Sequence, residues 1–119
     1  MQTKNHSQLM HDVNDVLGPF RASNQELMQG FGGMAKAAMA SGEVSAKHKE
    51  LTALALGISQ HCSACIAFHI KALIGLGVTR GELEETLAVC VYMGGGPSLM
   101  YSAEAIATFE ELTKNYALI

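Results

Sequence analysis

Basic residues are scarce in this chain. Only eight Lys and Arg occur in 119 residues, none of them clustered, against eleven Asp and Glu, for a net charge of −3. That leaves no electrostatic footprint for nucleic acid, and it argues against an anionic membrane as a partner for the same reason. Long apolar runs are missing too: nothing reaches the roughly 18 uninterrupted apolar residues of a membrane span, and the opening MQTKNHSQLMHDVND lacks the apolar centre of a signal peptide. A cytoplasmic protein is therefore expected. No run of β-branched residues alternates with period two, so no strand is expected. Neither a phosphate-binding loop nor a flavin or nicotinamide motif is present, so no cofactor is expected. Any electrons the protein uses then come from another protein or a small thiol.

What the chain does have is apolar content, 49% of residues against 16% charged. In a single domain spanning residues 1–119, that is more than one small core absorbs, and part of it is expected to meet another subunit. Its three cysteines include a Cys-x-x-Cys pair. In a reducing compartment such a pair is catalytic or metal-binding more often than a permanent staple.

The pair lies in KELTALALGISQHCSACIAFH, residues 49–69. Cys62, Cys65 and His69 fall at i, i+3 and i+7, which on a helix turning about 100° per residue places them in one arc. Glu50 lies twelve residues before Cys62 on the preceding helix. Gly57 and the polar Ser59-Gln60-His61 are available for a reversal, and an antiparallel hairpin turning near His61 returns Glu50 to the level of His69. A helix start stabilises a thiolate. An imidazole one turn from Cys65 takes or returns its proton, and a carboxylate holds that imidazole in one tautomer.

The spacing Glu50, eleven residues, Cys62, two residues, Cys65, three residues, His69 resembles the alkylhydroperoxidase-D-like branch of the carboxymuconolactone decarboxylase family. The similarity runs over residues 34–101, including the glycine run after Val91. The resemblance implies an all-α fold with the redox pair at the start of the fourth helix. It also implies a homo-oligomer, a trimer or a hexamer built from dimers, and favours Cys65 as the attacking thiol. Decarboxylases proper lack the cysteine pair, which argues against that reaction here. Ser63 and Ala64 stand where some peroxide-reducing members carry a histidine.

Read in order, the chain predicts six helices in one domain. Residues 5–17 form a polar helix with Leu9, Val13, Val16 and Leu17 on one side, stopped by Gly18-Pro19, an appended N-terminal arm over residues 1–18. Ser23 to Glu26 reads as a capping box for a helix with Leu27, Phe31, Met34, Ala35, Ala38 and Met39 at helical spacing. Its Gly30, Gly32 and Gly33 are expected to serve close helix packing. Ser41-Gly42 ends it. Ser45 caps the third helix, residues 46–59, with Leu51, Leu54, Ala55 and Ile58 as its buried stripe. The fourth helix begins near Cys62 and runs to Gly75 or Gly77, with Ile66, Ile70, Leu73 and Ile74 inward. Thr79 to Glu82 is a second capping box, for a helix through Leu83, Leu87, Cys90 and Val91; Cys90 reads as a small buried hydrophobe. Gly94-Gly95-Gly96-Pro97 is a stop and restart before a last helix over residues 98–116.

The expected function is that of a thiol–disulfide oxidoreductase, with reduction of alkyl hydroperoxides as a companion activity. Cys65 attacks, Cys62 resolves, and His69 and Glu50 assist; the exposure of the helix end favours Cys62 as the attacking thiol instead. The substrate is a peroxide or a partner disulfide. Zinc held by Cys62, Cys65, His69 and either Glu50 or His61 is the main competitor, but structural zinc ties together loop-rich units rather than helical cores. Haem attachment fails because Ile66, not histidine, follows the second cysteine. His61 reads as a solvated turn residue, and His6, His11 and His48 belong to no constellation. The alternative classes are a lyase acting on a small carboxylate through His69 and Glu50 alone, and a non-catalytic oligomeric module.

Overall fold

A computed structural model describes residues 5–117, with side chains as far as Lys114; residues 1–4 and 118–119 of the expected 1–119 domain lie outside it. The described residues form six helices and no strand: α1 (His6–Ser23), α2 (Gln25–Met39), α3 (Ala46–Ser59), α4 (Ser63–Gly75), α5 (Arg80–Gly94) and α6 (Gly96–Ala117). α4 is the centre. It packs against α3, α6 and α1, and Ile66, Ala67, Ile70 and Leu73 are wholly buried along it. Each such aliphatic side chain larger than alanine contributes about 1.5–3 kcal/mol on leaving water. Leu51, Leu54 and Ile58 of α3, Leu83, Leu87 and Cys90 of α5, and Met10, Val78, Ala105 and Leu112 join α4 in the core, while Ala55 and Ile74 sit at the edge.

Local chemistry sets most boundaries as expected. Ser45 accepts the His48 amide at the start of α3, and Thr79 with Glu82 makes the reciprocal capping box of α5. Gly95, at φ 70°, separates α5 from α6. A Cβ on Gly94 would collide with the Ser98 hydroxyl, so close approach as well as the turn explains this glycine run.

Four expectations are corrected. α1 does not stop at Gly18-Pro19 but runs through Pro19 to Ser23. Its last carbonyls are closed by side chains instead: Ser23 Oγ donates to Pro19 C=O at 3.0 Å and Asn24 Nδ2 to Phe20 C=O at 2.9 Å. That use explains why the expected capping box at Ser23 does not form; Asn24 is the N-cap of α2 and makes no side-chain bond to it. The N-terminal end of α1 is docked, with His6 and Met10 buried. Among the described residues Gly30, Gly32 and Gly33 pack against nothing, since a Cβ at each would meet no atom within 4 Å. α2 has no buried residue at all, and Leu27, Phe31 and Met34 stand exposed. The Cα radius of gyration, 14.8 Å, exceeds the roughly 13.5 Å of a compact chain this long.

The fourth correction concerns Gly57. It lies inside α3, buried and helical, so its conformational freedom is not what makes the reversal. A Cβ there would sit 3.3 Å from Cys65 Cβ. α3 and α4 are in close approach here, against Cys65 and Ile66.

Candidate functional site

α3 and α4 form the antiparallel hairpin that the sequence predicts, turning at Gln60 and His61. Cys62 is the N-cap of α4, and its Sγ accepts the Cys65 amide at 3.1 Å. Cys62 and Cys65 are joined as a disulfide, their Cα atoms 5.2 Å apart. Both residues are half-buried. The sulfurs therefore sit where the unpaired amides and dipole of a helix start favour negative charge.

Glu50 and His69 meet as predicted. Glu50 Oε2 lies 2.6 Å from His69 Nδ1, with side-chain exposures of 15% and 32%. A carboxylate accepts, so Nδ1 carries the proton and Nε2 is left as the basic nitrogen. One helical turn earlier on the same face is Cys65. The arrangement is a disulfide with an imidazole one turn further along the same helix, and that imidazole is hydrogen-bonded to a carboxylate of α3.

The remaining ionisable groups separate from this site. Cys90 is free and buried, and that burial pushes its thiol up from the ordinary 9.0, against a smaller lowering from a backbone hydrogen bond. It lines an apolar cleft of about 280 Å³ with Ala55, Leu56, Val89 and Met93, which includes none of Glu50, Cys62, Cys65 or His69. His11 pairs with Asp15, and His48 with Ser45. His61 is an exposed turn residue, as expected, but one face of its ring is covered by Tyr101. Among the described residues, no three His, Cys, Asp or Glu side chains converge to hold a metal ion, and no helix is long and apolar enough to cross a membrane.

Two contacts had no signal in the sequence. His6, with no local partner, is buried against Glu111 at the other end of the chain, Nδ1 to Oε1 2.9 Å. Tyr101 stacks on His61 across 40 residues, and nothing in the spacing of either residue points to the other.

An all-helical unit whose central helix opens with a disulfide-forming Cys-x-x-Cys pair defines a class of proteins suited to redox chemistry. The chain belongs to the carboxymuconolactone decarboxylase family, whose profile matches residues 25–108. A family protein of Legionella pneumophila is 48% identical, covering 92% of this chain and 97% of its own, with a TM-score of 0.88. An uncharacterised protein of Cupriavidus necator is 37% identical over 101 residues, 85% of this chain and 89% of that protein. A family protein of Thermotoga maritima shares the fold, with a TM-score of 0.72 at 24% identity over 77% of this chain and 95% of that one.

Proposed function

We propose that the protein is a thiol–disulfide oxidoreductase of the alkylhydroperoxidase-D-like branch, acting on a peroxide or a partner disulfide. The observation that carries this reading is the Cys62–Cys65 disulfide on the helix face that also holds the His69–Glu50 pair. In the reduced enzyme His69 Nε2 takes the Cys65 proton. The Cys65 thiolate attacks a peroxide oxygen, the O–O bond breaks, and the departing alkoxide takes the proton back from His69. Cys62 then attacks the Cys65 sulfenic sulfur, expelling hydroxide, which leaves as water. A dithiol, from a protein or a small molecule, restores the two thiols.

The whole chain, residues 1–119, acts as one unit in the cytoplasm and as a homo-oligomer, a trimer or a hexamer. Support for assembly comes from α2, whose Leu27, Phe31 and Met34 are exposed on a helix with no buried residue. Exposed Val89, Tyr92 and Met93 on α5 add a second apolar surface.

The test is turnover of hydrogen peroxide and of a small alkyl hydroperoxide with a dithiol as reductant. Wild-type protein turns over, and Cys65→Ser and Cys62→Ser do not. Lyase activity on a small carboxylate that survives loss of both cysteines would assign the family's other chemistry instead.

A further inference from the structure

α3 and α4 end in the same backbone motif and fill its left-handed position differently. After α4, the Gly77 amide returns to Ile74 C=O at 3.1 Å and the Val78 amide to Leu73 C=O at 3.0 Å, with Gly77 at φ 77°. After α3, the His61 amide returns to Ile58 C=O at 3.1 Å and the Cys62 amide to Gly57 C=O at 3.0 Å, with His61 at φ 56°. Glycine is what this Schellman closure ordinarily takes, because a Cβ there is strained. Among the described residues, His61 is the one non-glycine at positive φ. Its ring lies flat on Tyr101 of α6, centroids 4.7 Å apart and planes parallel at 0°. The fold thus spends backbone strain to hold an imidazole one residue before Cys62, exposed to solvent and fixed by an aromatic partner.

The chemistry has a use for it. Closing the disulfide removes a proton from each of two thiols. His69 is tied through Nδ1 to Glu50, and in the reaction proposed above its other nitrogen serves Cys65. The amide that Cys62 Sγ accepts favours its thiolate but carries no proton away. Tyr101 is itself titratable, and Glu104, three residues further along α6, is buried.

We propose that His61, positioned by Tyr101, carries the proton of Cys62, so that each sulfur of the disulfide has its own imidazole. This inference rests on the redox reading above. His61 takes the Cys62 proton directly or through one water. The Cys62 thiolate attacks the Cys65 sulfenic sulfur; the S–S bond forms, the S–O bond breaks, and hydroxide departs with the electron pair and is protonated from His61. The two electrons lost by the dithiol have reduced the peroxide to an alcohol and water. Tyr101 is a positioning residue, acting through the ring that it covers.

The experiment adds one equivalent of hydrogen peroxide to the reduced full-length protein and follows two species by peptide mass: the Cys62–Cys65 disulfide and dimedone-trapped sulfenic acid at Cys65. His61→Gly gives the turn its preferred residue, so its melting temperature is expected to equal or exceed that of wild type. Its disulfide closure is expected to slow by roughly tenfold, less than a sequestered general base contributes because solvent water competes. Trapped sulfenic acid rises accordingly, and added imidazole restores closure. Tyr101→Phe keeps the stack and the rate, Tyr101→Leu slows closure, and the double variant is no slower than His61→Gly alone. Closure at the wild-type rate in His61→Gly, or slow closure that imidazole does not restore, overturns the proposal. If wild type itself forms neither sulfenic acid nor disulfide, the redox reading has failed, which is a distinguishable result.

Discussion

Glu50 and His69 are separated by 19 residues of chain and meet at 2.6 Å because α3 reverses into α4 at His61. In the proposed reaction the carboxylate fixes the imidazole and leaves its other nitrogen free for Cys65. Glu50→Gln keeps the shape and removes the acceptor pair that sets the tautomer. Its thiol chemistry is expected to slow by roughly tenfold or more, the scale on which such orienting partners act. In the reduced protein, the profile of alkylation rate against pH should move up toward that of a free cysteine. His69→Gln should do the same, and the double variant should be little worse than either, since residues acting as a unit are not additive. An unmoved Glu50→Gln profile beside a moved His69→Gln profile would make Glu50 a spectator.

The three cysteines divide into a pair and a single thiol. Under mild oxidation Cys62 and Cys65 should form the bridge while Cys90, buried and pushed up by that burial, stays free. Peptide mapping after alkylation under native and denaturing conditions checks this. Labelling of Cys90 before unfolding, or a bridge that includes it, would contradict the burial on α5.

Gly57→Ala tests the close approach beneath the disulfide. A new Cβ stands 3.3 Å from Cys65 Cβ, and the disulfide prevents Cys65 from turning aside. Overpacking costs about 1–3 kcal/mol, against a helix-propensity gain of up to about 1 kcal/mol. The oxidised protein is therefore expected to lose stability in denaturant, and the reduced protein to lose less. Equal stability in both states would show that α3 and α4 separate freely at this point.

Replacing Leu27 and Phe31 with Glu reads out the exposed face of α2. Neither side chain contributes to the core, so the fold should survive by circular dichroism while the oligomer dissociates by light scattering. An assembly held by apolar faces rather than ion pairs, as proposed, should keep its mass in high salt. A wild-type monomer at micromolar concentration, or dissociation by salt alone, would remove the basis for assembly through this face.

The docking of α1 against Glu111 is expected to depend on pH. Burial raises its carboxyl, but the His6 and Ser7 amides and the His6 ring more than offset this, leaving it below the ordinary 4.5. A carboxyl lowered in the folded state contributes stability that is present above its unfolded value, about 4.5, and lost as pH falls through the folded one. Wild type should therefore be more stable than Glu111→Gln at pH 7, with the gap narrowing as pH drops below about 4.5. A gap that stays constant through that range would show that the carboxylate charge contributes nothing.

Much of this molecule is written in neighbouring residues. Ser45 and Thr79 start helices because their side chains reach amides three residues on, and Gly95 ends one because it accepts a positive φ. The face shared by Cys62, Cys65 and His69 follows from helical spacing, and Glu50 joins it because one short turn fixes an antiparallel pair. What spacing could not convey depends on which surfaces meet. Pro19 stays inside α1 because Ser23 and Asn24 close the helix beyond it. Gly57 is small because α4 lies on it rather than because the reversal needs its freedom, whereas Gly30, Gly32 and Gly33 meet none of the described residues because α2 leaves the core. His6 with Glu111 and His61 with Tyr101 join distant segments that only the packing of α6 against the rest brings together. Capping and periodicity act over one or two turns and are legible locally, while contacts between helices depend on the summed burial of the whole chain.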